Sequence, residues 1–377
     1  MTVNVSKPAV NLREELSALK KPSGLVGEQL LKSNTIDDVY TSLNPTMFRN
    51  RLINGDMRIW QRGVTLTPGS GFSVDMFRCE PRNGTTIYTD RSTDVPTGQG
   101  FTYSMRTYAT GATDDGFHIR SYVELPATGV YGEFQPGTQW TVSFWMKSAY
   151  ASRTINVTVG LAETSVGGSH QSQSVASAQG TQFVTNQWKK YVFNFTLPAW
   201  VSDAGSVSNV RCFYVRLLQG TDDLPQDTYL TGVQLERGTV ATPFEVRPIG
   251  TELALCQRYF YSMGGGGSTY EQFFLISSTA ATDGRVVMYT PVPMRTVPSI
   301  IQSGSFQIAG GSTSLTGTYS ANTTMYASDP SIFSGVQNIG FDFWPGTAGS
   351  YGVTNAGCFV LRANGSTATR FQLSAEL

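Results

Sequence analysis

Lys189-Lys190-Tyr191-Val192-Phe193-Asn194-Phe195-Thr196-Leu197 is the stretch that decides the fold class. Tyr191, Phe193, Phe195 and Leu197 alternate with Lys190, Val192, Asn194 and Thr196. A period of two puts the first set on one face of a strand and the second on the other. Trp140–Lys147 reads the same way, with Val142, Phe144 and Met146 opposite Thr141, Ser143 and Trp145. Thr154–Leu161, Val210–Leu218 and Tyr229–Leu235 are further strand candidates. Turn signals separate them: Gln135-Pro136-Gly137, Val166-Gly167-Gly168, Asp203-Ala204-Gly205 and Gly220-Thr221-Asp222-Asp223. Short strands spaced by such turns predict a sandwich of two antiparallel sheets, in a chain that is mainly β.

The composition agrees. Charged residues are 14% of the 377, against about 25% in ordinary soluble domains. Polarity comes instead from Thr, Ser and Asn, which suits sheets with one wet face. The formal net charge of zero supplies no basic field for nucleic acid or a membrane surface. The opening Met1-Thr2-Val3-Asn4-Val5-Ser6-Lys7 lacks the apolar core of a signal peptide, and no apolar run nears the ~20 residues of a membrane span. Cys79, Cys212, Cys256 and Cys358 are too scattered for a metal site and read as buried free thiols, consistent with assembly in a reducing cytoplasm.

Outward from the strands, both ends differ. Residues 1–48 read as helical. Leu12, Leu16 and Leu19 recur at helical spacing before Pro22-Ser23-Gly24, and a second short helix begins near Thr35, with Val39, Tyr40 and Leu43 on its apolar side. Stripes this narrow make no core alone and call for a partner surface, of the same subunit, of identical helices or of another protein. Near residue 250, Pro243, Pro248 and Gly250 punctuate the chain, and Thr251–Phe260 reads as one helix with Leu253, Cys256 and Phe260 on a face. Gly264–Gly267 is a break, not a phosphate loop, since it lacks the Lys and the strand–helix setting. Strand periods return in Gln272–Ser277, Arg285–Thr290, Ser299–Ala309, Ile339–Trp344, Gly357–Arg362 and Thr369–Glu376, predicting a second, smaller sandwich.

Catalytic constellations are not evident. His118 and His170 are the only histidines, each in a loop or at a strand entrance, and neither a Gly-x-Ser-x-Gly elbow nor a His-Glu-x-x-His pair occurs. Glycoside hydrolysis needs two carboxyls across a cleft. Asp114/Asp115 and Asp222/Asp223 are adjacent and sit in turns, and adjacency on a strand sends side chains to opposite faces, while Glu133 and Glu236 stand apart from other acids. Sugar contact without catalysis needs aromatic faces. Trp145, on the polar side of its strand, and Tyr270, Tyr326, Trp344 and Tyr351, near turns, are the candidate platforms. Packing against another sheet or subunit is the competing role for each.

Several segments resemble tail-fibre and related virion proteins of tailed bacteriophages. They are Asn11-Leu12-Arg13-Glu14-Glu15-Leu16 with Lys21-Pro22-Ser23-Gly24 and Gly27, and above all Leu52-Ile53-Asn54-Gly55-Asp56-Met57-Arg58-Ile59-Trp60-Gln61-Arg62-Gly63. Gly232-Val233-Gln234-Leu235-Glu236-Arg237-Gly238, Ala241-Thr242-Pro243-Phe244-Glu245, Ala254-Leu255-Cys256-Gln257-Arg258-Tyr259 and the ending Phe371–Leu377 add to it. The resemblance implies an N-terminal virion-anchoring segment (1–48), a carbohydrate-binding-like jelly roll (49–250) and a C-terminal β domain (251–377) for trimerisation or receptor contact. Leu12, Leu16, Leu19, Val39 and Leu43 would form the anchor, docking on tail or capsid proteins. Many such jelly rolls hold calcium through an acid near the closing strand; here that place reads Thr231-Gly232-Val233, so no metal or other cofactor is carried over. The expected function is a non-enzymatic, trimeric tail fibre on the virion that contacts host surface glycans. A capsid decoration or head-fibre protein and a polysaccharide depolymerase are the alternatives.

Overall fold

The alternation in Lys189–Leu197 becomes an inside–outside alternation: Tyr191, Phe193, Phe195 and Leu197 are buried, while Val192, Asn194 and Thr196 are exposed. The computed structural model describes residues 48–66, 71–81, 86–110, 117–126, 132–148, 153–162, 177–197, 212–219, 227–265, 271–280, 283–296, 298–303, 306–309, 318–319, 325–327, 338–343, 357–363 and 370–376. Of the expected anchor, 1–48, residues 1–47 with Leu12, Leu16, Leu19, Val39 and Leu43 lie outside them.

The first strands in chain order are β1 (Thr65–Leu66), β2 (Gly71–Phe72), β3 (Phe77–Pro81), β4 (Thr86–Ser92), β5 (Ser104–Thr110) and β6 (Phe117–Glu124). They continue with β7 (Gln139–Ser148), β8 (Arg153–Ala162), β9 (Ser177–Val184), β10 (Lys189–Thr196), β11 (Cys212–Gln219) and β12 (Thr228–Arg237). They form two six-stranded antiparallel sheets, ordered β1-β4-β5-β12-β7-β10 and β2-β3-β6-β11-β8-β9. The interior is one apolar cluster fed by both inner faces. Phe134 plugs one end, stacked on Phe213 of β11 at 4.0 Å and on Trp140 of β7 at 4.5 Å.

Strand β12 breaks its own alternation. Thr231 faces Trp145 and Gln234 faces Ser143, so β12 carries one residue more than β7 there, a bulge with Gly232 at φ +64°. The extra residue lets Leu230 and Leu235, five apart, both reach the core.

Helix α1 (Ile249–Gln257) follows, shorter at its end than the expected Thr251–Phe260. Phe260 instead opens β13 (Phe260–Gly264), because its backbone pairs with Ser374. Buried Cys256 and Tyr259 join the same cluster as the sandwich interior. The remaining strands are β14 (Gln272–Ala280), β15 (Asp283–Tyr289), β16 (Ser299–Ser303), β17 (Phe306–Ala309), β18 (Thr318–Tyr319), β19 (Met325–Ala327), β20 (Asn338–Phe343), β21 (Gly357–Ala363) and β22 (Arg370–Ser374). They make a three-stranded sheet, β13-β22-β16, and a seven-stranded one, β18-β17-β21-β14-β15-β20-β19. Ser299–Ala309, expected as one strand, is two strands in different sheets: β16 pairs with β22, and β17 with β21.

Candidate glycan-contact face

The segment 50–63, prominent in the sequence, turns out to be a joint. Asn54, at φ +59° and fully buried, accepts from the Ile59 N–H at 2.9 Å and donates to the carbonyls of Ile59 (2.9 Å) and Asp75 (3.0 Å). Its own N–H donates to Glu252 of α1. Gln61 donates to Asp75 and to the Phe260 carbonyl, at 3.0 and 2.7 Å. Arg62 lies 3.5 Å from the centroid of the Phe260 ring, faces Asp75 at 3.5 Å and pairs with Glu376. Burial pushes the carboxyls of Asp56 and Asp75 up, against the opposing pull of Arg58 and Arg62 respectively.

The closing-strand motif is structural too. Gln234 and Glu236, on the outer side of β12, are buried under the segment after it. Glu236 accepts from Thr242 N–H at 2.9 Å and Oγ1 at 2.6 Å and faces Arg49 at 3.4 Å, while Gln234 Oε1 accepts the Glu245 N–H at 2.8 Å. These groups are spent on holding residues 238–245 against the sheet.

What remains open on this sheet is a row running across it. Register places Asp90 opposite Arg106, Arg106 opposite Tyr229, and Tyr229 opposite Lys147, on β4, β5, β12 and β7. Directly opposed residues share a face, and three strand spacings make the row about 14 Å long. Trp188, just before β10, extends it: its indole N–H donates to Asp94 at 2.9 Å, and its ring meets Tyr229 at 6.3 Å. Tyr88 and Tyr108, one register step along, stack at 5.0 Å and 10°.

Cations and rings alternate along this face. Lys147 Nζ sits 4.7 Å from the Tyr229 ring and 5.6 Å from Trp188, and Arg106 sits 4.8 Å from Tyr108. Each cation also has a carboxylate: Asp94 for Lys147, Asp227 at 2.9 Å and Asp90 at 3.6 Å for Arg106. Burial would raise the Asp94 carboxyl, but the bonds from Lys147 and Trp188 outweigh it and hold it below the usual range. The side chains are therefore fixed before any ligand arrives, while Trp188, Tyr229, Tyr88 and Tyr108 stay only partly buried. Rigid rings flanked by acceptors and donors are what a sugar needs: an apolar surface for its C–H faces and polar groups for its hydroxyls.

Trp145, the platform expected from sequence, stands on the same outer face and is half-buried. A Cβ on Gly232 would meet its ring at 3.1 Å and Phe101 at 2.5 Å, so the missing side chain of Gly232 is what makes room for both rings. Tyr326 falls in β19 in register with Asp342. Tyr270, Trp344 and Tyr351 lie outside the described residues, as do His170, Asp114, Asp115, Asp222 and Asp223. Of the five expected aromatics, the structure places Trp145 on the face of the row. Sequence reading passed over Trp188, Tyr229, Tyr88 and Tyr108.

Among acids weighed for catalysis, Glu133 is paired with Arg51 at 2.5 Å. Among the described residues no group of three or more His, Cys, Asp or Glu side chains converges as a metal site. Thr231 donates its hydroxyl to the Tyr103 carbonyl at 2.8 Å. Cys79, Cys212 and Cys256 are buried free thiols.

Residues 102–211 match the family model described as a carbohydrate binding domain. The matched stretch holds Arg106, Tyr108, Trp145, Lys147 and Trp188. Among solved structures, a family 4 carbohydrate-binding module is similar over 50% of this chain and 99% of its own, at 14% identity and a TM-score of 0.31. A putative sugar binding protein from Bacteroides thetaiotaomicron is similar over 50% and 100%, at 12% and 0.33. The enzymatically active domain of tailspike protein 4 of bacteriophage CBA120 is similar over 50% and 22%, at 11% and 0.32. A search of curated proteins found no match. The stretch 102–211 is thus similar to a carbohydrate binding domain and lies within a two-sheet β-sandwich.

Proposed function

We propose that this chain is a non-enzymatic appendage protein of a tailed-bacteriophage virion, a homotrimeric fibre anchored through residues 1–48, which contacts host surface glycans. The observation that carries glycan contact is the preorganised row Arg106–Tyr229–Lys147–Trp188 on a domain matched to carbohydrate binding. What supports the virion reading is the resemblance of the segments at 11–27, 52–63 and 232–245 to phage fibre proteins. In this reading the joint at 50–63 ties the sandwich to α1 and β13, and the protein assembles in the host cytoplasm before joining the particle.

The test is affinity electrophoresis of the full chain through gels holding host-surface polysaccharide, beside a reducing-sugar assay. Retardation without sugar release is the expected result. Release of reducing ends would replace this reading with a depolymerase, and labelling of capsids rather than tails by antibody would move the protein to the head.

A further inference from the structure

An exposed apolar patch lies where the described chain begins. Phe48, Val246 and Ile249 are 44%, 65% and 52% exposed, and Pro248, between the last two, is exposed as well. Residues 48–50 are brought to this place by running beside 243–247. Arg49 Nη2 donates to the Pro243 carbonyl at 2.7 Å, the Asn50 N–H donates to Glu245 at 2.6 Å, and Arg247 donates to the Asn50 carbonyl. The Phe48 ring itself lies 5.2 Å from the Arg247 guanidinium. Apolar side chains clustered this way on a surface call for cover.

Phe48 adopts φ +64°, a left-handed conformation that costs a bulky residue energy unless contacts hold it. Arg51 donates to its carbonyl and Arg247 faces its ring, so this point of the chain is fixed. A fixed point limits the reach of whatever precedes it. Leu43 stands five residues before Phe48, which keeps the two within about 18 Å. The helix expected from Thr35 to Leu43 is about 13 Å long, so its end falls beside the patch. Val39, Tyr40 and Leu43 are its apolar side, and Met47 follows nearer to Phe48.

We propose that residues 35–47 of the same chain cover this patch, with Val39, Tyr40 and Leu43 laid against Phe48, Val246 and Ile249. The tether selects this occupant over a second copy. Only residues 44–47 separate Leu43 from Phe48, and a link that short holds the segment at a millimolar effective concentration, which a second subunit at micromolar concentration does not match. The N-terminal region then divides in two. Residues 35–47 belong with the sandwich, while Leu12, Leu16 and Leu19 stay available to an outside partner. This goes beyond glycan contact and holds whatever the chain binds.

The test joins limited proteolysis to crosslinking, both on the full chain. Chymotrypsin cuts after Tyr40 and Leu43 only when the segment lifts away. Val246→Ser combined with Ile249→Ser should therefore speed those cuts by roughly tenfold or more. Cleavage after Leu12 and Leu16, and the melting temperature, should hold, since the two replaced side chains are exposed. Equal rates in the two chains would overturn the proposal. For crosslinking, Val39→Cys or Leu43→Cys is paired with Val246→Cys or Ile249→Cys and oxidised mildly at micromolar concentration. At least one pair should close a disulfide within a single chain. Failure of every pair would overturn the proposal, and disulfides formed between chains would give the patch to a second copy and overturn it too.

Discussion

The Gly55 carbonyl accepts the Val233 N–H at 2.9 Å, and a Cβ on Gly55 would lie 2.1 Å from the Val233 carbonyl oxygen. The turn after Leu52 and the bulge of β12 are therefore in backbone contact, at a separation only glycine permits. Gly55→Ala must force the two backbones apart, and since Asn54 and Asn50 bond to the same region the strain spreads. The expected loss is about 3 kcal/mol or more, at the high end for single substitutions. Gly250→Ala is the control: nothing lies within 4 Å of a Cβ there, and alanine in α1 should be neutral or stabilising by up to ~1 kcal/mol. Urea denaturation of both variants checks the pair; equal stability would show that the joint yields freely.

Asn54 makes a companion prediction. Its side chain bridges Ile59 and Asp75 with no exposure, so Asn54→Ala strands buried backbone groups. About 2–4 kcal/mol of stability should be lost, with a lower thermal midpoint as the readout.

How much of this was legible beforehand depended on which residues faced inward. Strands β7 and β10 could be read because Phe144, Met146, Tyr191 and Phe193 point in and polar residues point out. Strands β4 and β5 hide from that rule. Their inner faces carry Thr89 and Thr107 beside Ile87 and Met105, and their outer faces carry Tyr88 and Tyr108. Apolarity no longer marks the inside. The row was harder still, since Asp90, Arg106, Tyr229 and Lys147 meet only through register. Asn54-Gly55 was conspicuous as a motif, but its reason, the contact with Val233, lies far along the chain.

Glu376 gives a pH prediction. Burial lifts its carboxyl from 4.5 to about 7, against the pull of Arg62. The folded state then holds a proton that the unfolded state has released, between pH 4.5 and about 7. Its contribution is complete below 4.5 and is lost as pH rises to about 7. Glu376→Gln cannot titrate, so the melting temperature of the native chain minus that of the variant should fall across this window. A flat difference would place Glu376 in contact with water.

Assembly is checked by mass. Val240, Val246 and Ile249 are 67%, 65% and 52% exposed, and among the described residues β1 and β10 are the end strands of their sheet. Such surface invites pairing or cover. Light scattering of the full chain should give three times the 41.0 kDa monomer. A stable monomer across micromolar concentrations would count against a trimeric fibre.

The aromatic row yields the most direct test of glycan contact. Trp188 contributes a ring and one bond to Asp94 at the surface, so Trp188→Ala should cost the fold less than about 1 kcal/mol. If sugars stack there, the same change should weaken glycan binding by roughly tenfold, since a ring contact of this kind amounts to about 1–2 kcal/mol. Lys147→Met keeps the stem but removes the charge that positions Asp94 and Tyr229, so it should weaken binding less than Trp188→Ala. Trp145→Ala is the contrast. Its ring packs against Gly232 beside Phe101, so its removal should lower stability more and binding less than loss of Trp188. Titration calorimetry with a host oligosaccharide and thermal melts of the three variants separate the roles. The reverse order, with Trp145 dominant in binding and Trp188 silent, would move the sugar from the row to the middle of β7.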